Sequence, residues 1–223
     1  ERHHHGLAGV IVEPFQRLIP PVPGFLEGLR EVTSSYEIPL IFDEIVTGFR
    51  FAYGGAQEYY SVTPDLCTLG KTIAGGFPMA AVAGREELMD QFDRDAVGTE
   101  AFVPQIGTLN GNPIAAVAGL ATLEILRREG TYERLFATGS QIRLALQRML
   151  DEAEIPARVV GIDPLFDVFF TETAVTDYRS TLRADKRMLS RFNELLLERG
   201  ILKGDSKFYV STAHTQDDVG LTL

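Results

Sequence analysis

Cysteine is almost missing from this sequence: Cys67 is the one thiol in 223 residues. An intrachain disulfide framework is therefore excluded, and no group of Cys and His has the spacing of a metal site. Such cysteine usage suits a reducing cytoplasm. Long apolar runs are lacking too. None approaches the roughly 18 residues that span a bilayer, and no signal-peptide core opens the chain, so a soluble protein without a membrane partner is expected. Basic residues fall short of acidic ones, 21 Lys and Arg against 31 Asp and Glu, for a net charge of −10. That balance repels nucleic acid and anionic membrane surfaces and leaves a small-molecule partner as the better expectation. Internal repeats and low-complexity tracts are also absent. What is present is 45% hydrophobic residues with 23% charged ones, enough apolar material for one large domain or two small ones.

Strand and helix patterns alternate through the first part. LAGVIVE (Leu7 to Glu13) is a short apolar run ending in a carboxylate and a proline, and PLIFDE (Pro39 to Glu44) repeats that form. Both read as strands buried on both faces. Between them Phe25, Leu26, Leu29 and Val32 recur at helical spacing, so a βαβ unit and a parallel sheet are expected. LCTLG (Leu66 to Gly70) and MAAVAG (Met79 to Gly84) add strands ended by glycine. Asn112 and Pro113 form an N-cap and first-turn pair for an alanine-rich helix from Ile114 to about Arg128. A long amphipathic helix is predicted over Thr131 to Glu154, with Leu135, Ile142, Leu146 and Leu150 on one side. Beyond it RVVGI, LFDVFF and KFYVS read as strands and Leu182 to Arg199 as a helix, with a capping-box start at Thr215 and Asp218. The expected fold class is α/β, with a domain over residues 1–130 holding a mostly parallel sheet and a small α+β domain over 131–223. The run His3, His4, His5 precedes the first strand pattern almost directly, as if the chain began in mid-domain, and is assigned no function.

The chemistry concentrates in TLGKTIAGG, Thr68 to Gly76. Gly70, Lys71 and Thr72 match the last three positions of a phosphate-binding P-loop, and LIFDE resembles its magnesium-holding acidic strand. Two details oppose this. The glycine that a P-loop needs earlier is Asp65, and Asp43 precedes Lys71 where the acidic strand should follow. The alternative makes Lys71 an amine that attacks a carbonyl to form a Schiff base, and Asp43 the partner of a ring nitrogen. A carboxylate at the end of an apolar strand needs a cation, and in pyridoxal phosphate chemistry the protonated pyridine nitrogen supplies one.

VIVEP, LIFDEIVTGFR, PDLCTLGKTIAGGFPMAAVAG and GTLNGNP, in that order, resemble the motifs of the pyridoxal-phosphate-dependent class III aminotransferases of fold type I. PGFLEGLRE, TGFRFAYGGAQEYYSVTPDL, FFTETAVTDY and STAHTQDDV are similar to the subgroup containing glutamate-1-semialdehyde 2,1-aminomutase; KGDSK, residues 203 to 207, departs from it. The likeness covers nearly the whole chain but only the later part of a family member. The Ser-Gly-Thr phosphate loop and the ring-stacking aromatic residue of the family have no counterpart here, and residues 1–130 correspond to the second half of the cofactor-binding large domain.

The resemblance implies roles. Lys71 carries pyridoxal 5'-phosphate and moves the proton between substrate carbon and cofactor. Asp43 pairs with the ring nitrogen. Ile45 or Val46 lies against a ring face; many relatives have glutamine where Val46 stands, which leaves the ring hydroxyl without an assigned contact. Thr108 corresponds to a threonine that reaches the phosphate in the neighbouring subunit, which implies a homodimer with shared sites. Glu13, at a strand end, is a candidate for substrate contact or for a structural role. His214 reads as a capping histidine and Cys67 as small core. The implied partners are a small-molecule amino donor and a carbonyl substrate. Three functions follow as expectations: an aminomutase-like aminotransferase, the aminomutase itself, and a truncated chain that dimerises or binds cofactor without turnover.

Overall fold

The computed structural model describes residues 3–223. It divides into two compact units, one comprising the residues up to Pro14 with Pro21–Arg128, the other Phe15–Pro20 with Glu129–Leu223.

The first unit contains β1 (Val10–Val12), α1 (Phe25–Ser35), β2 (Leu40–Glu44), α2 (Gly55–Tyr59), β3 (Leu66–Leu69), a 3₁₀ turn (Lys71–Ala74), β4 (Ala81–Gly84), α3 (Glu86–Met89), α4 (Arg94–Ala101) and α5 (Pro113–Leu126). Its sheet runs β1-β2-β3-β4. The first three strands are parallel, in register Val12 with Phe42 and Asp43 with Thr68, while β4 runs antiparallel to β3. Leu26, Leu40, Phe42, Val62 and Cys67 pack into one core.

The expectation that the first two strands are buried on both faces needs correction. Only Val10–Val12 of the first run is strand, and Ile11 is 63% exposed, because β1 is an edge of this sheet and pairs with β2 alone among the described residues. In β2 the alternate residues Leu40, Phe42 and Glu44 are buried while Ile41 and Asp43 are half-buried, the period-2 pattern of a strand with two unlike faces.

A charged clamp closes the N-terminal end of the central strands. Asp65, just before β3, accepts from the Leu40 amide at 2.7 Å and from Arg30 at 2.8 Å, and pairs with Arg85 at 3.2 Å. Burial pushes its carboxyl up, but the Leu40 amide and the two guanidinium groups outweigh this and hold it below the usual carboxylate range. The residue that breaks the P-loop pattern is thus a structural anion. α5 begins at Asn112, whose side chain accepts from the Ile114 and Ala115 amides. Its small residues Ala115 and Gly119 are buried, and a Cβ on Gly119 would lie 3.1 Å from the Ile73 carbonyl oxygen. Glycine lets the helix lie that close to the turn that begins at Lys71 without displacing its backbone.

In the second unit, α6 (Thr131–Glu152) is followed by β5 (Arg158–Ile162), β6 (Leu165–Phe169), α7 (Tyr178–Thr181), α8 (Lys186–Glu198), β7 (Phe208–Tyr209) and α9 (Gln216–Thr222). The strands form an antiparallel sheet, β5-β6-β7. Leu135, Ile142, Leu146 and Leu150 of α6, the face predicted to be apolar, join Phe166, Val168, Leu196 and Phe208 in one core. The helix predicted over Leu182 to Arg199 starts later, because Asp185 accepts from the Arg187 and Met188 amides and caps α8. Phe15 and Leu18, 0% and 3% exposed, lie in the short segment that the chain lends to this unit.

Candidate active site

Two adjacent carboxylates at the end of β2 have opposite fates. Strand alternation sends Glu44 inward, where it is 0% exposed. It accepts from the Thr47 hydroxyl at 3.0 Å, the Ala56 amide at 2.5 Å, and the Gln57 amide and side chain at 3.2 and 3.1 Å. A negative group at the start of α2 satisfies amides that have no partner in the helix. A Cβ on Gly55 would collide with this carboxylate, so Gly55 is what allows the cap. Glu44 is fully used by the fold.

Asp43 faces the other way. Its Oδ1 accepts from the Thr68 hydroxyl and from the Ile45 amide, each at 3.1 Å. Among the described residues nothing hydrogen-bonds to Oδ2, and no cation pairs with the carboxylate. One oxygen is held and the other has no described partner. Thr68, the cross-strand partner of Asp43, was not singled out from the sequence; its signal would have been the β2–β3 register, which no local pattern contains.

Lys71 stands two residues beyond β3, so both groups sit at the C-terminal ends of neighbouring parallel strands, where ligands gather in such sheets. The chain leaves β3 through an extended Gly70 and places Lys71 at φ +48°, a left-handed conformation unusual for a residue with a Cβ. Ile73 and Ala74 of the same turn are buried while Lys71 is exposed, and its amine has no ion pair or hydrogen bond among the described residues. Gly75 ends the turn at φ +56°, with the Thr122 hydroxyl in the space a Cβ would need. The glycine following the lysine is thus required by backbone and by space.

The other candidates are distributed around this pair. Ile45 is 36% exposed and lies against Gly70, 3.4 Å from where a Cβ would stand. Val46 is half-buried, and its carbonyl accepts from Arg50 Nε at 2.8 Å. A groove of about 690 Å³ runs past Cys67 and Gly55 but contains neither Lys71 nor Asp43. A second, of about 670 Å³, is lined by Ile45, Thr68, Leu69, Leu109, Asn110 and Asn112 among others. Thr108 is exposed in the turn beside it and makes no hydrogen bond among the described residues. Glu13 is half-buried just past β1, and it makes no hydrogen bond or ion pair with either member of the pair among the described residues. His214 Nδ1 accepts from the Ser211 amide at 3.0 Å, and Thr215 with Asp218 forms the expected capping box. Burial pushes the Cys67 thiol up, as suits a core residue.

A carboxylate oxygen without a described partner can meet a positively charged nitrogen, and an exposed primary amine can meet an electrophilic carbonyl carbon. The profile of the aminotransferase class-III family matches residues 1–210. The chain belongs to this family. It is 41% identical over 223 residues to a glutamate-1-semialdehyde 2,1-aminomutase of Natranaerobius thermophilus, covering 97% of this chain and 51% of that protein. A second aminomutase, from Brevibacillus brevis, is 43% identical with the same coverage. Among solved structures, an omega-transaminase from Sphaerobacter thermophilus matches at TM-score 0.91 and 37% identity, over 99% of this chain and 51% of that one. A glutamate-1-semialdehyde aminomutase from Pseudomonas aeruginosa, solved with PMP, matches at 0.81 and 27%, over 98% and 50%. The chain therefore spans about half the length of the relatives it matches. The α/β architecture, with its mostly parallel first sheet, is that of these transaminases and aminomutases.

Proposed function

We propose that the full-length protein transfers amino groups using pyridoxal 5'-phosphate, with Lys71 as the amine that holds the cofactor and Asp43 as the partner of its ring nitrogen. The observation that carries this is the Asp43 carboxylate, fixed through Oδ1 and free of described partners at Oδ2, on the strand next to the one leading to an exposed Lys71. When bound, the cofactor supplies an electron sink for the bond broken at the substrate carbon. Asp43 keeps a proton on the ring nitrogen by its negative charge. Lys71 provides a primary amine for carbonyl exchange and then carries the proton to and from the substrate carbon. Ile45 or Val46 would give the ring an apolar flank. Cofactor phosphate and substrate contacts come in part from chain outside these residues.

Reduction of the full-length protein with borohydride, followed by peptide mapping, is expected to fix the cofactor on Lys71. Label on another lysine overturns the assignment, and the absence of any cofactor absorbance favours the non-catalytic reading. The donor and acceptor divide two chemistries. A transaminase needs a second carbonyl substrate to take up the amino group left by the donor, whereas an aminomutase returns nitrogen to the same carbon skeleton and consumes no acceptor. The curated relatives at 41% and 43% identity favour the aminomutase; the similarity to the omega-transaminase favours the aminotransferase. Incubation with glutamate-1-semialdehyde alone decides: sustained 5-aminolevulinate formation without added donor or acceptor establishes the aminomutase.

A homodimer with shared sites belongs to the same reading. Its support is Thr108, exposed and without a described local bond, and the outward residues Ile114, Val117 and Leu120 of α5, 64%, 66% and 69% exposed. Such an apolar stripe calls for another protein surface. Mixing a Lys71→Ala subunit with a Thr108→Val subunit should restore part of the activity; no recovery in demonstrated heterodimers argues for self-contained sites. A cytoplasmic location agrees with the single, buried thiol; among the described residues no helix is long and apolar enough to cross a membrane.

A further inference from the structure

We infer that Arg50 is a positioning residue for Lys71: it ties the loop after β2 to the turn after β3 and holds the lysine backbone in its left-handed conformation. The inference rests on Lys71 being the reacting amine. Arg50 is half-buried, and two of its bonds run in different directions. Its Nε donates to the Val46 carbonyl at 2.8 Å, and its Nη2 donates to the Thr72 hydroxyl at 3.1 Å. Val46 lies three residues past Asp43, and Thr72 is next to Lys71. One side chain therefore spans the two loops that follow the strands bearing the candidate catalytic pair.

Local bonding alone holds the turn weakly. The Ile73 amide donates to the Gly70 carbonyl and the Gly75 amide to the Thr72 carbonyl, both at 3.2 Å, the long end of the hydrogen-bond range. The buried Ile73 and Ala74 anchor its far end. The Gly70–Ile73 bond closes around Lys71, where φ is +48° and a non-glycine residue returns to right-handed or extended backbone unless its surroundings forbid it. The bond from Arg50 to Thr72 adds a restraint from outside the turn. A guanidinium can do this because its Nε and terminal nitrogens lie in a rigid plane; a lysine ammonium is a single point and cannot reach both acceptors in this way.

The test uses the full-length protein, with and without added pyridoxal phosphate, and compares Thr72→Val, Thr72→Ser, Arg50→Met, Arg50→Lys and the double variant Arg50→Met/Thr72→Val. Amide hydrogen exchange over the peptide from Gly70 to Gly75 reads the clamp without reference to catalysis. Thr72→Val and Arg50→Met are expected to speed exchange at Ile73 and Gly75 about tenfold, and to lower kcat about tenfold with KM for the amino donor within about threefold. Thr72→Ser should behave as wild type and Arg50→Lys no better than Arg50→Met. The double variant should be no worse than the more severe single one, because both break the same link. Wild-type exchange and kcat in Thr72→Val overturn the inference, as does an additive double variant. If Arg50→Met does not fold, Thr72→Val, which keeps the shape of the side chain, still decides. Borohydride label on a lysine other than Lys71, with the exchange response intact, removes the catalytic meaning of the clamp and so overturns the inference through the functional reading beneath it.

Discussion

Replacing Lys203 by methionine tests the electrostatics of the second unit and separates two kinds of lysine. Lys203 and Asp167 have side chains only 1% and 3% exposed, with Nζ 3.1 Å from Oδ1. The ammonium also donates to Asn193 Oδ1 at 2.9 Å and to the Gly204 carbonyl at 3.0 Å, and it lies 5.2 Å from the Phe208 ring centre. Its contact with Asp167 is poorly angled for a hydrogen bond, since Oδ1 accepts none, so the pairing is mainly a charge contact. Burial pushes the Asp167 carboxyl up, and the Lys203 charge opposes this. Methionine keeps the length and removes the charge, leaving only the Val168 amide and the Lys207 charge to oppose burial. The folded variant then does best by protonating Asp167. From an unfolded value of about 3.9, that costs about 1.4 kcal/mol per pH unit, an upper limit of roughly 4 kcal/mol at pH 7 and about 1.5 at pH 5, because the wild-type carboxyl is itself already raised. The first figure agrees with the range of about 3–5 kcal/mol for breaking a buried pair. The sign follows from linkage. A carboxyl raised in the folded state contributes its stability below the unfolded pKa and loses it as pH rises, so the penalty must shrink on acidification. Urea unfolding of the full-length protein, followed by hydrogen exchange of β5 and β6 amides at pH 7, 6 and 5, measures it. Lys203→Met/Asp167→Leu should recover most of the loss. A penalty below about 1 kcal/mol, one that does not change with pH, or a double variant as unstable as the sum of the singles would refute the reasoning. A lysine so committed is no candidate for carbonyl exchange, whereas Lys71 is exposed and unpaired among the described residues.

Asp43→Asn keeps the two bonds to Oδ1 and removes the charge, so cofactor absorbance should remain while single-turnover proton transfer slows about 100-fold or more, roughly 2.7 kcal/mol of barrier; wild-type turnover would remove Asp43 from the mechanism. Asp65, held low in the folded state, contributes stability above its unfolded pKa that is lost as pH falls through the lower folded value. Asp65→Asn should therefore flatten the acid side of the stability profile below about pH 4, by an amount discounted because Arg85 is largely in solvent; an unchanged acid limb counts against the clamp. Gly139 of α6 has the Asp163 carbonyl in the space of its missing Cβ, and backbone cannot turn aside as a side chain can, so Gly139→Ala should destabilise the second unit by about 1–3 kcal/mol in urea unfolding. A neutral result would show that the turn holding Asp163 yields freely.

What could be read from the sequence was whatever depends on neighbours along the chain. The caps at Asn112 and Thr215, the apolar stripe of α6 and the strand-glycine-lysine passage at Lys71 are local patterns, and each has the form expected of it. Motif order pointed to the class III aminotransferases for the same reason, since it needs no folding to be seen. The division of labour between Asp43 and Glu44 was not legible. Both end the same strand, and only the position of α2 and of Thr68 decides which carboxylate is used up by the fold. The antiparallel run of β4, the exposure of β1 at a sheet edge and the delay of α8 to Asp185 likewise came from pairings and caps that the spacing did not specify. The same holds for the Arg50 link from Val46 to Thr72 and for the burial of Lys203 against Asp167. Periodicity reports which face of an element is apolar, but the partner of a charge is chosen by residues distant in sequence, and only the tertiary structure brings them within a few ångströms.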